Sequence, residues 1–164
     1  MSVKLTYTTA LTVAEVLAAN TVSAAEAQRT VTHSLLNKSA VFTGTSDVPV
    51  SKVAAFEKAL VAGAGSIDLT ALVGTNGAAV DGTGLKVQAI KVIADADNSA
   101  AITLADGASN GYELLGASWT IKLKAGQEIV IFGNEETPDI GGTAKVIDLT
   151  GTGTDKLQII IVMG

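Results

Sequence analysis

The amino-acid sequence predicts an all-β fold, a jelly-roll-like antiparallel β-sandwich of about eight to ten strands. Three observations carry that prediction. The last third of the chain consists of short apolar alternations joined by glycine turns: Trp119-Thr120-Ile121-Lys122-Leu123-Lys124, then Ala125-Gly126-Gln127, then Glu128-Ile129-Val130-Ile131-Phe132-Gly133. A period of two along such runs places alternate side chains on opposite faces of a sheet. Turn chemistry recurs at strand spacing, with 17 glycines against only 2 prolines, so Gly, Asn, Asp and Thr make most of the turns. Finally, no segment carries a three-turn apolar stripe of helical spacing that lacks a competing strand reading.

Taken in order, Val3-Lys4-Leu5-Thr6-Tyr7-Thr8 alternates and reads as a first strand. Residues 12–29 are ambiguous. Ala14-Glu15-Val16-Leu17-Ala18-Ala19 are helix formers, and Ser23-Ala24-Ala25-Glu26 matches a capping box, yet Arg29-Thr30-Val31-Thr32 returns to β character. A strand or an irregular segment with at most one helical turn is expected there. Residues 30–36 and 39–43 read as strands flanking Asn37-Lys38. Residues 50–61 fit either a helix, through apolar 53, 56 and 60, or a strand, through alternation from Val50 to Leu60.

Residues 66–70 are a clear strand, and 74–84 hold two hairpin-type dipeptides, Asn76-Gly77 and Asp81-Gly82,. In the strand 85–94 the inward phase slips from Leu85, Val87 and Ala89 to Ile90 and Val92. A β-bulge near Ala89, or burial on both faces, would account for the slip. Short strands follow at 101–104, 119–124, 128–133, 145–149 and 157–163. Ile67-Asp68-Leu69-Thr70 recurs as Ile147-Asp148-Leu149-Thr150, read here as two edge or corner strands with similar turns.

The 164 residues suit a single sandwich domain over 1–164, with 1–12 as an arm contacting neighbouring subunits,. Only 16% of residues are charged while 48% are hydrophobic, against about a quarter charged in ordinary soluble domains. That balance favours covering some outer surface with other subunits as much as it favours an alanine-rich monomer. A net charge of −5 with scattered lysines argues against nucleic acid,. With no cysteine, disulfide and thiolate chemistry are excluded,. No signal-like start is seen, and the closing apolar run is too short to cross a bilayer. A soluble protein made in the cytoplasm, with no membrane partner, is expected.

No catalytic residue is assigned. The sole histidine, His33, adjoins Ser34, but neighbours on a strand face opposite ways and cannot pair as base and nucleophile. A strand histidine bonded to backbone or at a subunit contact is expected instead. Asp95, Asp97, Ser99 and Asp106 imitate the spacing of a calcium loop. However, Ala100 stands where glycine belongs and Asp106 where a bidentate glutamate belongs,, so no metal and no cofactor are expected. The loop 134–139 concentrates Glu135, Glu136 and Asp139, and aromatics are too few for a sugar cleft. Interface residues are therefore expected at Val3, Leu5 and Tyr7 in the N-terminal segment and at Glu135, Glu136 and Asp139 in the acidic loop.

Three segments add a resemblance: Ala108-Ser109-Asn110-Gly111-Tyr112-Glu113-Leu114-Leu115-Gly116, Leu123-Lys124-Ala125-Gly126-Gln127-Glu128-Ile129, and Ile147-Asp148-Leu149-Thr150-Gly151-Thr152-Gly153-Thr154. They resemble the small β-rich virion proteins of tailed bacteriophages, of the decoration (cement) type. The likeness covers the C-terminal half and lies in strand-and-turn texture. The Ala-rich N-terminal third departs from it. The resemblance implies a homo-oligomer, trimeric or otherwise symmetric, seated on the major capsid protein of a virion, with synthesis in the host cytoplasm and no catalysis. The competing reading is a carbohydrate- or receptor-binding sandwich of a tail or fibre, which requires exposed aromatics around Trp119 or Tyr112. A hydrolase lacks a plausible base and nucleophile.

Overall fold

The computed structural model describes residues 2–17 and 29–164. Among these there is no helix, and every paired strand is antiparallel. The proposed capping box at Ser23–Glu26 lies outside the described residues. The chain divides into two compact units. One is Leu5–Phe42, and the other is Thr43–Gly164 with the residues before Leu5.

The smaller unit contains β1 (Leu5–Thr9), β2 (Val13–Leu17), β3 (Arg29–His33) and β4 (Lys38–Phe42). β1 pairs with β4 from Leu5↔Phe42 to Thr9↔Lys38, and β2 pairs with β3 from Val13↔His33 to Leu17↔Arg29. The same outgoing and returning segments thus form both ribbons. Between them, residues 10–12 on one side oppose four residues, 34–37, on the other. The extra residue is absorbed as a turn, in which the Asn37 amide donates to the Ser34 carbonyl at 3.1 Å. This is why the strand expected at 30–36 stops at His33. None of the unit's described side chains is buried.

The larger unit is a sandwich. Its strands are β5 (Lys52–Ala59), β6 (Ala64–Asp68), β7 (Leu72–Val73), β8 (Ala79–Val80), β9 (Val87–Ala94), β10 (Ile102–Asp106), β11 (Thr120–Leu123), β12 (Glu128–Phe132), β13 (Val146–Thr150) and β14 (Lys156–Met163). One sheet has the order β12-β9-β14-β5 and the other β11-β10-β13-β6. Their inner faces share one core, built from Ala54, Ile90, Val92, Leu157, Ile159 and Ile161 on one side and Ile67, Ile102, Leu104, Ile147 and Leu149 on the other. Burying each large aliphatic side chain contributes about 1.5–3 kcal/mol. The core therefore rests on aliphatic residues, as a chain with 4% aromatics must.

The helix-or-strand ambiguity at 50–61 resolves to strand. β5 pairs with β14 over all eight residues, from Lys52↔Met163 to Ala59↔Lys156. Ala54 is sealed in the core and Phe56 packs against it. A full ladder with an apolar inner face outweighs the local helix preference of Ala and Glu. The phase slip in β9 is also explained. Val162 faces Ala89 while Met163 faces Val87, so Gln88 is the extra residue of a bulge. Both Val87 and Ile90 thereby point inward,.

The two expected hairpin dipeptides behave differently. Asn76-Gly77 turns β7 into β8, with Gly77 at φ 78°, as a left-handed turn position requires. Asp81-Gly82 makes no hairpin. Asp81 Oδ1 instead accepts from the Thr83 amide and hydroxyl, and the Gly82 amide ties back to the Leu69 carbonyl at 3.0 Å. The repeated Ile-Asp-Leu-Thr segments prove to be neighbours, with Ile147 directly opposite Ile67. Only β6 is an edge strand, since β13 lies inside its sheet. Their aspartates also differ in role: Asp68 caps its own turn through Thr70, whereas Asp148 accepts from the distant Ala108 amide. Fourteen strands among the described residues exceed the expected eight to ten because β2 and β5 form in sequence that also suits a helix and β7 and β8 are only two residues each.

Candidate functional site

The two aromatics that a sugar-binding reading needs on the surface are inside. Tyr112 is fully buried, its hydroxyl donating to the Pro138 carbonyl at 2.8 Å and accepting from the Val87 amide at 3.0 Å. Burial pushes its phenol pKa up,. Trp119 is buried too, its Nε1 donating to the Tyr112 carbonyl at 2.8 Å. These side chains join the segments around Val87, Tyr112 and Pro138 rather than offering a platform, and the carbohydrate reading loses its anchor residues.

Among the expected interface residues, Val3, Leu5 and Tyr7 are half-buried and alternate with exposed Lys4, Thr6 and Thr8. In the acidic loop, Glu136 and Asp139 are exposed. Glu135 is drawn inward. Its amide donates to Gln88 Oε1, its carboxylate takes the Gln88 side-chain amide and lies 3.3 Å from Lys86 Nζ, and its carbonyl accepts from Lys86 at 2.9 Å. Gln88 is the bulge residue and is fully buried, so Glu135 satisfies its side-chain amide while the Gly133 amide donates to its backbone carbonyl at 2.7 Å,. Asn134 and Glu135 both hold positive φ, at 50° and 65°, the left-handed pair of a tight turn.

Two aspartates of the calcium-like spacing, Asp95 and Asp106, each accept from a backbone amide, and Ser99 turns to the Asp155 carboxylate. Asp95 Oδ1 caps the Asp97 amide at 2.9 Å, and Ser99 donates through its amide and hydroxyl to Asp155. Asp106 Oδ2 accepts from the Ser118 amide at 3.3 Å. Asp155 also takes the Ala100 amide, and hydrogen bonds from Ser99, chiefly through its backbone, hold the Asp155 carboxyl below the usual carboxylate range. His33 Nε2 meets Glu15 Oε2 at 3.2 Å across the β2–β3 ribbon, not Ser34.

A surface that sequence reading missed is the strongest feature of the smaller unit. Leu35 and Leu36 occupy the two central positions of the 34–37 turn and are 96% and 87% exposed. Such positions ordinarily take Gly, Asn, Asp or Pro. Leu11, 78% exposed, and Val13 extend the apolar surface. A cavity of about 870 Å³ opens between the segments 8–13 and 32–37. The turn is braced: Asn37 Oδ1 accepts the Leu11 amide at 2.8 Å and Asn37 Nδ2 donates to Thr12 Oγ1 at 3.1 Å. The signal was present as two leucines directly before the turn residue Asn37, but they also continue the alternation of a strand. Of the segment 1–12, Thr8, Thr9, Ala10 and Leu11 line this cavity.

The outer faces of the two sandwich sheets differ sharply in chemistry. Across the β11-β10-β13-β6 sheet, the outward positions are Lys122, Thr103, Thr150 and Ala64 in one row and Thr120, Ala105, Asp148 and Ser66 in the next. Across the β12-β9-β14-β5 sheet they are Val130, Lys91, Ile160 and Ala55, flanked on one side by Glu128, Ile93, Gln158 and Glu57 and on the other by Phe132, Ala89, Val162 and Val53, of which Ala89 and Val162 are buried. The first face suits water, and the second exposes two aliphatic residues, Val130 and Ile160, among ion-paired and polar ones.

No family model, curated protein or solved structure matches the chain.

Proposed function

We propose that this chain is a structural protein of a tailed-phage virion, without catalytic activity, which decorates and stabilises the capsid through contacts with other copies and with the major capsid protein. The single observation that carries the assembly part is the Leu35-Leu36 turn, displayed on a unit in which no described side chain is buried. Two-stranded ribbons are at best marginal in water, and fewer than about 40 residues rarely sustain a core unaided. Apolar cover from another chain supplies what such a ribbon lacks, by stabilising the bound state through mass action. The phage assignment rests on the resemblance of the C-terminal half.

We further propose that the sandwich is a jelly roll. Numbering its eight long strands in chain order, one sheet runs 6-3-8-1 and the other 5-4-7-2. That interleaving supports two Greek keys wrapped around one core.

The test is binding to particles. Purified chain is mixed with capsids of the encoding phage stripped of it, sedimented, and quantified in the pellet. Saturable binding in fixed proportion to the major capsid protein, weakened by Leu35→Ser with Leu36→Ser, is the expected result. Absence of the chain from purified virions, together with no binding to stripped capsids, overturns the proposal.

A further inference from the structure

The outer face of the β12-β9-β14-β5 sheet carries a second surface, distinct from the leucine turn. Its central row is Ala55, Ile160, Lys91 and Val130, cross-strand neighbours in sequence order of the sheet. Ile160 is 46% exposed, Val130 is exposed as well, and Ala55 and Ile93 are half-buried. A groove of about 350 Å³ runs over Ala55, Lys91, Ile93 and Ile160. Ile160 on the inner strand β14 and Val130 on the edge strand β12 flank Lys91, whereas the equivalent row of the partner sheet carries lysine and threonines.

The charges on this face are already matched within it. Lys91 Nζ lies 3.0 Å from Glu128 Oε2, and Lys156 Nζ lies 3.2 Å from Glu57 Oε2. Lys156 also approaches Asp95 at the rim, at 3.6 Å. A surface with an unbalanced charge repels its own image, whereas one that pairs its ions internally does not. An identical surface related by a two-fold axis must be complementary to itself, and a face whose lysines and glutamates are paired internally sets little net charge against its own image. Three eight-residue strands about 27 Å long and the five-residue β12, spaced about 4.8 Å apart, give a footprint of about 500 Å² or somewhat less per copy,. Two such faces together would bury roughly 1,000 Å², the low end of specific interfaces.

We infer that this sheet face is the contact between two copies of the chain, packed face to face about a two-fold axis near Ile160. The inference deepens the self-association contained in the proposed function and rests on that reading. It is independent of the leucine turn that the capsid contact uses. Aligned packing of two sheets at about −30° sets Ile160, Val130 and Ala55 of one copy between the same residues of the other.

Sedimentation velocity over a micromolar concentration series tests it, with Ile160→Lys, Ile160→Glu and Val130→Lys as variants and Thr103→Lys, on the other sheet, as control. Wild type and Thr103→Lys are expected to sediment as dimers. Each face variant is expected to weaken the dimer roughly a hundredfold or more, since like charges then face each other. Mixing Ile160→Lys with Ile160→Glu is expected to restore a mixed dimer, which a generic folding defect would not do. Unchanged melting temperatures show that the variants are folded, and Val130→Lys serves if either substitution at 160 fails to fold. A monomeric wild type, or a dimer indifferent to all three face variants, overturns the inference. Capsid binding by a chain that stays monomeric removes this face-to-face contact alone and leaves the decoration role standing. Dimers that never bind capsids do the reverse.

Discussion

Removing one oxygen atom from Tyr112 should cost the sandwich more than any surface change. In Tyr112→Phe the ring still fills its site, so the hydrophobic contribution is retained. What disappears is a hydroxyl that donates to the Pro138 carbonyl at 2.8 Å and accepts the Val87 amide at 3.0 Å. Both partners sit in the dry interior or at its margin, and each buried group left without a partner costs about 1–3 kcal/mol. The loss is therefore about 2–4 kcal/mol, allowing for partial relaxation of the Pro138 loop. For a chain of this size that corresponds to a fall in Tm of roughly 6–14 °C. Urea unfolding followed by Trp119 fluorescence, with thermal melts alongside, reads both quantities. Because burial raises the Tyr112 pKa, the native state holds its phenol proton more tightly than the unfolded chain. Wild-type stability is thus full below the unfolded value of about 10 and falls as pH rises beyond it toward the folded value. Tyr112→Phe should flatten that alkaline decline. A loss below about 0.5 kcal/mol, within the range of ordinary surface substitutions, would refute the role assigned to this hydroxyl.

Other outcomes follow from the same geometry. Gly111→Ala would drive a methyl group against Asp106 Oδ1 and to 2.5 Å from the Gly107 carbonyl oxygen, so a loss of about 2 kcal/mol or more is expected in chemical denaturation. Acid should destabilise the sandwich. Burial works against ionisation of Asp68, but the Thr70 hydroxyl and amide and Lys145 outweigh it, and Asp155 is held low mainly by the Ser99 amide. Both folded pKa values lie below the unfolded value, so their contribution is present above about pH 4 and fades as pH falls through the folded values. Asp68→Asn and Asp155→Asn should each shrink that acid decline in pH-dependent melts. Leu35→Ser with Leu36→Ser should leave the melting of the sandwich within about 0.5 kcal/mol of wild type while weakening particle binding.

The sandwich was legible where one physical signal dominated. In β14, alternate residues Leu157, Ile159 and Ile161 are buried and Gln158 and Ile160 are not, a pattern that period-2 reading captures directly. The phase slip in β9 was legible as a break in alternation open to two readings, and the structure holds both: a bulge at Gln88 and a run from Val87 to Ile90 buried throughout. β5 was not decidable locally, since alanine and glutamate satisfy both periods and only the ladder to β14 selects the strand. The acidic loop was visible as charge, but nothing in its sequence shows that Glu135 turns inward to a buried glutamine 47 positions away. The leucine turn was hidden for a related reason: Leu35 and Leu36 prolong a strand pattern, and the one-residue mismatch between the ribbons appears only when the two segments are paired.

The most direct measurement is co-sedimentation of the purified chain with capsids of its phage, comparing wild type with Leu35→Ser, Leu36→Ser. Saturable wild-type binding that the double variant loses, with its sandwich still folded, is the expected result. No binding by wild type, and no copies of the chain in purified virions, would contradict a decoration role.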